Sequence, residues 1–146
     1  ASDIGRLVHD TYLADCRQLQ VKPNSKALAR FRLGLKEAAE GDQVYDFGEA
    51  HLGDRGAACV LHAVARDPLC VEVSLRACSL RGASASCVAC YIELSPRLRR
   101  IDLSENHFSF DTGETIFEAL QRRSRQHSID GPEMFSASGA AEVHCE

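Results

Sequence analysis

The stretch that decides the fold is Leu98–Phe108, with the sequence LRRIDLSENHF. Apolar residues stand at positions 98, 101, 103 and 108, and an asparagine stands at 106. Alternation of apolar and polar residues around 101 and 103 predicts a short β-strand with one buried face. An internal repeat would change the predicted fold, so the first question is whether this stretch recurs.

The pattern recurs when the chain is shifted so that Asn106 falls on Cys78, and again when the same shift continues to Ala50. This constant interval of 28 residues is called the period. The corresponding strand positions are Tyr45 and Phe47, Val73 and Leu75, and Ile101 and Leu103. Apolar residues at helical spacing follow each strand, and they predict helices near Gly56–Arg66, Ser84–Leu94 and Thr112–Arg122.

Each unit is therefore a strand followed by a helix, and neither element can bury its apolar face alone. Stacked units would pair their strands in a parallel sheet and bend into an arc with the sheet on the concave side. The turn after each strand would be buried, which predicts that Asn106 hydrogen-bonds the backbone there and that the thiol of Cys78 is a weaker substitute. The predicted fold class is α/β.

The motif L-x-x-L-x-L-x-x-N/C-x-L is matched by LRRIDLSENHF and, with Cys and Val substituted, by CVEVSLRACSL. These stretches resemble the leucine-rich-repeat superfamily, and the 28-residue period with a full helix resembles its ribonuclease-inhibitor-like subtype. The resemblance implies a solenoid of about three units at residues 42–125. It also implies a helical cap at residues 1–41 and a degenerate repeat or tail at 126–146, where a poorly matching fourth unit begins at Ile129.

The expected cap contains two amphipathic helices. The first has the sequence DIGRLVHDTYLADCRQLQ and places on one face Ile4, Leu7, Val8, Tyr12, Cys16 and Leu19. The second is predicted at Lys26–Ala39, with Asn24 and Ser25 as N-cap residues and an apolar side formed by Leu28, Phe31 and Leu35. The run TYLADCRQLQVKPNS is similar to the lead-in of leucine-rich-repeat proteins from cilia and flagella, which implies a structural component of the axoneme.

Composition limits the classes of partner. With 146 residues and 45% hydrophobic residues the chain can form one core. Its net charge of -4 predicts neither nucleic-acid nor membrane binding. No apolar run approaches the roughly 20 residues of a membrane span, and the amino end lacks the form of a signal peptide. Seven cysteines without secretory features predict reduced thiols, and the expected location is cytoplasmic.

The strand residues that point away from the helices would form the exposed face of the sheet. The residues predicted to bind a protein are Asp46, Glu72, Ser74, Arg76, Arg100, Asp102 and Ser104. Their mixed charges favour one specific protein partner, within a larger assembly, over a polyanion or a small substrate. The predicted function is a non-enzymatic protein–protein scaffold without cofactor, and no catalytic motif such as G-x-S-x-G or a P-loop is present.

A second interpretation stays open for the cysteines. Cys87 and Cys90 have the C-x-x-C spacing of zinc and thiol-redox sites, and Cys59 and His62 could meet them across two stacked helices. We expect instead that these cysteines belong to the core, because cysteine is among the most buried residue types and the C-x-x-C lies inside a predicted helix. No metal site is therefore predicted.

Six arginines could form a short basic ridge for nucleic acid. They are Arg97, Arg99, Arg100, Arg122, Arg123 and Arg125. Glu93 and Asp102 lie close in sequence and no aromatic residues accompany the ridge, so these arginines are predicted to be solvated surface residues.

Overall fold

Helices and parallel strands alternate along the described residues, 3–37 and 40–126, of this computed structural model. The helices are α1 (Asp3–Leu19), α2 (Ser25–Lys36), α3 (Gly53–Val64), α4 (Ala85–Leu94) and α5 (Phe110–Gln126). The strands are β1 (Gln43–Asp46), β2 (Cys70–Ser74) and β3 (Arg100–Asp102), and a 3-10 turn at Gly82–Ser84 precedes α4. No helix in these two ranges is both long enough and apolar enough to span a membrane.

The three strands form one parallel sheet in the order β1-β2-β3. Tyr45 lies beside Val73 in the register of the sheet, and Val73 lies beside Ile101. Residues one period apart in sequence are therefore neighbours across the strands. The predicted α/β class and the parallel sheet are confirmed.

The core lies between the sheet and the helices α3, α4 and α5. It contains the predicted inward strand residues, each at most 4% exposed: Tyr45, Phe47, Val73, Leu75, Ile101 and Leu103. From the helices it contains Val60, Val64, Val88, Ile92, Ile116 and Leu120. The apolar residues that alternate along the strands therefore pack against the apolar residues that recur at helical spacing, and together they form one apolar layer.

Asn106 connects the turns that follow β2 and β3. Its side-chain oxygen accepts hydrogen bonds from the amides of Cys78 (3.0 Å) and Leu80 (2.9 Å). Its amide nitrogen donates to the carbonyls of Leu75 (2.9 Å) and Leu103 (3.0 Å). The side chain is 1% exposed, so the predicted buried role of Asn106 is confirmed.

Cys78 makes the corresponding contacts one turn earlier. Its thiol donates to the carbonyl of Phe47 over 3.0 Å. Burial raises the pKa of this thiol, while hydrogen bonds from the backbone of Ala50 and Leu52 act in the opposite direction. Each of these partners stands one period before a partner of Asn106. The thiol therefore substitutes for the amide, as predicted.

Left-handed backbone occurs at equivalent places in all three turns. Glu49, Ala77 and Glu105 have φ angles of 62°, 53° and 58°. His51 and Ser79, two residues after the first two of these, are also left-handed. Because few non-glycine residues adopt this conformation, its recurrence indicates one common turn geometry.

Asn24 begins α2 as its N-cap. Its side-chain oxygen accepts from the amides of Lys26 and Ala27, both at 3.0 Å. The predicted capping role is correct for Asn24, whereas Ser25 is the first helical residue. α2 ends at Lys36, three residues before the predicted end.

Side chains near the start of α2 also cover the outer edge of β1. Three backbone carbonyls, one on β1 and two in the turn that follows it, accept hydrogen bonds from these side chains, so they are not free acceptors. The pairs are Asn24 with Ala50 (2.7 Å), Lys26 with Gly48, and Arg30 with Val44 (3.1 Å).

Some predicted boundaries differ from the structure. α1 buries Val8, Tyr12 and Cys16, while Leu7 and Leu19 are 46% and 40% exposed. The buried stripe of α1 is thus narrower than its amphipathic pattern indicated. α3 begins at Gly53 rather than residue 56, and α5 runs from 110 to 126 rather than from 112 to 122. The predicted fourth unit at Ile129 lies outside the described residues.

Candidate protein-binding surface

The exposed side of the sheet, here called the sheet face, brings the predicted binding residues together. It consists of Asp46, Glu72, Ser74, Arg76, Arg100, Asp102 and Ser104. The first six line one depression of about 280 Å³. Ser104 joins them because its hydroxyl donates to the Asp102 carboxylate over 2.6 Å. Side chains alternate along a strand, so this face is opposite the helices.

Strand register fixes the charge pattern of the sheet face. Glu72 on the central strand is paired with Arg100 on β3. Ser74 lies between Asp46 on β1 and Asp102 on β3. Opposite charges therefore lie on adjacent strands in one row, and a hydroxyl lies between two carboxylates in the next. Neighbouring side chains of this kind are close enough to contact one ligand group together.

Arg76 is held by two glutamates that the sequence analysis did not single out. Its guanidinium donates to the carboxylates of Glu49 and Glu105, from the turns after β1 and β3. The hydrogen bond to Glu105, reinforced by its charge and by Glu49, raises the pKa of Arg76. Glu49 and Glu105 stand two periods apart, and that spacing is the signal that could have identified them.

Two carboxylates of the sheet face also stabilise their own turns. Asp46 accepts from the amide of Gly48 over 2.8 Å. Asp102 accepts from the amide of Ser104 over 3.0 Å with the same side-chain oxygen that binds the serine hydroxyl. These residues therefore have a structural role in addition to the predicted binding role.

Glu72 occupies the centre of the sheet face. Its carboxylate makes no hydrogen bond or ion pair with another residue in the ranges 3–37 and 40–126. The side chain is half-buried between its neighbours on β1 and β3. A carboxylate in this position can accept hydrogen bonds from a cationic or polar group of a partner.

The alternative metal cluster does not assemble in the described residues. No group of three or more histidine, cysteine, aspartate or glutamate side chains there could hold a metal ion. His62 instead contacts the Asp15 carboxylate of α1. Cys59 is buried beside Cys16, and burial raises the pKa of its thiol to about 12.

Cys87 and Cys90 lack the features of a reactive thiol pair. Both cysteines lie inside α4, as predicted, and Cys87 is in its first turn because α4 begins at Ala85. Burial, followed by the neighbouring Cys90, raises the pKa of the Cys87 thiol. Redox-active cysteines at helix starts have lowered pKa values, so this shift has the wrong direction for thiol exchange.

Several of the six arginines that could have formed a basic ridge are paired with carboxylates. Arg97 and Arg99 contact the Asp42 carboxylate at 2.8 Å and 3.5 Å. Arg122 contacts Glu93 at 2.8 Å, and the hydrogen bond from Arg122 lowers the pKa of Glu93. The charges of these three arginines are thus partly neutralised by carboxylates.

Arg123 departs furthest from its predicted place. Its side chain is fully buried, and its guanidinium donates to the carbonyls of Ser95 (2.8 Å) and Pro96 (3.1 Å). The prediction of a solvated surface residue was wrong for Arg123. Ser95 stands one period before it, so Arg123 joins the ends of two successive helices.

A scan against protein-family models and a search of the curated proteins both returned no match for this chain. A function must therefore be argued from the residues, distances and charges of the sheet face.

Proposed function

We propose that this chain is a leucine-rich-repeat solenoid of the ribonuclease-inhibitor-like kind, and that its sheet face binds a partner protein without catalysing a reaction. The observation that carries the function is the depression formed by charged side chains from all three strands. The sheet face supplies hydrogen-bond donors and acceptors of both charges across one rigid surface.

The repeat part of the proposal is supported by equivalences at a spacing of one period. Cys78 and Asn106 bind equivalent backbone groups in successive turns. The left-handed residues Glu49, Ala77 and Glu105 follow the same spacing. A single hairpin or βαβ unit would not require this agreement in register, turn conformation and buried polar contacts.

The binding part is supported by rigidity and mixed charge. Ordered strands hold Glu72 and Arg100 side by side, while Arg76 is fixed by carboxylates on both sides. A pre-organised polar surface loses little conformational entropy when it binds. Charges of both signs select a partner with the complementary pattern and disfavour like-charged competitors.

Charge reversal tests this proposal with the full chain as bait in extracts of its source. The test variant carries Arg76→Glu, Arg100→Glu and Asp102→Lys. The control carries the same charge changes on the helical side, at Arg66→Glu, Arg125→Glu and Glu114→Lys. We expect proteins captured by the wild type and the control to be depleted about tenfold or more with the test variant.

A second variant separates binding from folding. Glu72→Lys changes a side chain that makes no hydrogen bond or ion pair in the described residues, so the free energy of unfolding should fall by no more than about 1 kcal/mol, the cost of a second cation beside Arg100. Glu114→Lys is its matched control. Equal capture by the wild type and both sheet-face variants would refute the assignment of the sheet face.

We propose further that the chain belongs to a cilium or flagellum. This rests on the similarity of TYLADCRQLQVKPNS to the lead-in of ciliary leucine-rich-repeat proteins. Fractionation of the source cells should place the protein in detergent-extracted axonemes. Recovery outside the ciliary fraction would contradict this location and leave the binding proposal intact.

A further inference from the structure

A second cavity, here called the edge cavity, lies between the two N-terminal helices and β1. Its volume is about 450 Å³, within the range of sites that take a side chain or small ligand. Gly5 and Gly34 line it without placing a side chain inside. The residues that give it chemical character are Ile4, Leu33, Val44, Glu37, Glu40 and Asp42.

Three aliphatic side chains, Ile4, Leu33 and Val44, form an apolar part of the otherwise polar wall of the edge cavity. Leu33 on α2 and Val44 on β1 are 46% and 47% exposed, although both are large apolar residues. A single exposed aliphatic residue is common on protein surfaces. Here two of them converge from different elements on one cavity, together with the partly buried Ile4. Such a site can gain apolar burial when a ligand enters.

The lining of the edge cavity contains more acidic than basic side chains, with Glu37, Glu40, Asp42 and Asp67 against Arg30. Arg30 stacks over the Tyr45 ring at 4.1 Å and donates to a β1 carbonyl, so it is already engaged. Asp42 is occupied by two arginines of the loop before β3. The carboxylates of Glu37 and Glu40 make no hydrogen bond or ion pair with any other described residue. These two can complement a cation at the mouth of the cavity.

We propose that the edge cavity receives an aliphatic side chain of a partner protein segment, with an adjacent lysine or arginine of that segment contacting Glu37 and Glu40. Val44 lines both this cavity and the depression of the sheet face. A partner lying on the sheet face can therefore extend over Val44 into the cavity. The inference rests on the proposed protein-binding function and names a chemistry for part of the partner.

The probe for this inference is the tripeptide acetyl-Lys-Leu-Lys-amide, added to the isotopically labelled full chain. Amide NMR shifts should map to residues around Leu33 and Val44, with a dissociation constant of about 1 mM for so small a ligand. Acetyl-Lys-Ser-Lys-amide should bind about fivefold more weakly because it lacks the aliphatic group. Acetyl-Glu-Leu-Glu-amide should also bind more weakly because its charge opposes the rim.

Leu33→Ser is the decisive variant, because Leu33 lines the edge cavity and not the sheet-face depression. Leu94→Ser is its matched control, since Leu94 is also an exposed helical leucine but lies at the end of α4. We expect about fivefold weaker binding of acetyl-Lys-Leu-Lys-amide to Leu33→Ser and unchanged binding to Leu94→Ser.

Three results would overturn the inference: absence of binding at about 10 mM peptide, shifts elsewhere on the surface, or equal affinity for Leu33→Ser and Leu94→Ser. None of them contradicts binding at the sheet face, which the charge-reversal variants test separately. If instead charge reversal leaves capture unchanged while the peptide binds at Leu33, the edge cavity stands and the sheet-face function falls.

Discussion

At the scale of single residues, the two buried turn residues Asn106 and Cys78 show how equivalent positions in two turns accept different side chains. Asn106 offers both a donor and an acceptor to the backbone, so each of its contacts with the turns can be satisfied. The thiol of Cys78 donates to a single carbonyl. The turn that Cys78 contacts also receives hydrogen bonds from Asn24 and Lys26 at the start of α2.

Replacement of Asn106 should be strongly destabilising. Asn106→Ala leaves buried amides and carbonyls without partners, and we expect the free energy of unfolding to fall by about 2–4 kcal/mol. Asn106→Cys introduces the residue found at position 78, and its free energy of unfolding should fall by less. Urea unfolding followed by circular dichroism measures both. Equal stability of the two variants would contradict the role of the thiol as a substitute.

The burial of Arg123 could not be predicted from the sequence. Its position in the last turn of a polar helix end is typical of solvated arginines. Its buried guanidinium is satisfied by the carbonyls of Ser95 and Pro96, which lie in the loop between α4 and β3, far from Arg123 in the sequence. A single sequence has no local signal for such a long-range contact.

At the scale of elements, hydrogen bonds join α2 to β1 and to the turn after it. The same Asn24 side chain begins this helix and binds the carbonyl of Ala50. Aromatic contacts add to this junction, with the Phe31 ring 5.0 Å from Tyr12 and 5.6 Å from Phe47. The packing of α2 and the protection of the β1 edge therefore depend on neighbouring side chains of the same helix.

Two substitutions at Asn24 separate its roles. Asn24→Asp keeps the oxygen that caps α2 but loses the donor to Ala50, and we expect a cost of about 1 kcal/mol. Asn24→Ala loses both and should cost about 2 kcal/mol or more. Thermal and urea unfolding of the full chain compare the two. A greater loss with Asn24→Asp than with Asn24→Ala would contradict this division.

Element positions were more predictable than element ends. The strands around Tyr45, Val73 and Ile101 follow directly from alternating apolar residues. By contrast, Ser84 was predicted to begin a helix but lies in a 3-10 turn, where its hydroxyl donates to Asp54 of α3. In the same way the sheet-face residues followed from periodicity, whereas the ion pairs of Arg76 depend on the turns after β1 and β3.

At the scale of the whole molecule, weakly acidic groups are concentrated in the core. Burial raises the pKa values of Tyr12, Tyr45 and Tyr91 above the usual range for tyrosine. Burial also raises the pKa of the Cys70 thiol to about 11, from a usual value of 9.0. The native state therefore keeps protons that the unfolded chain would release in alkali.

Stability should decline as the pH rises above about 9. Cys70 is protonated in both states below that pH, whereas between pH 9 and 11 the unfolded state releases the proton first. The free energy of unfolding should fall by about 1.4 kcal/mol per pH unit from this thiol within that window.

Urea unfolding of the wild type and of Cys70→Ala between pH 8 and 10 checks this dependence. The decline should be shallower in Cys70→Ala, and Cys90→Ala, which removes an exposed thiol, is the matched control. An equal decline in all three proteins would exclude Cys70 as a source of alkaline sensitivity.

The left-handed residues Glu49, Ala77 and Glu105 set a limit on how this chain can diverge over time. Valine, isoleucine and threonine fit such backbone poorly, whereas glycine and asparagine adopt it readily. Substitutions by β-branched residues should therefore be disfavoured at these three positions, even where the side chain is exposed to solvent. We expect homologues to keep residues that tolerate left-handed backbone at these three positions, even where the strand motif has become hard to recognise.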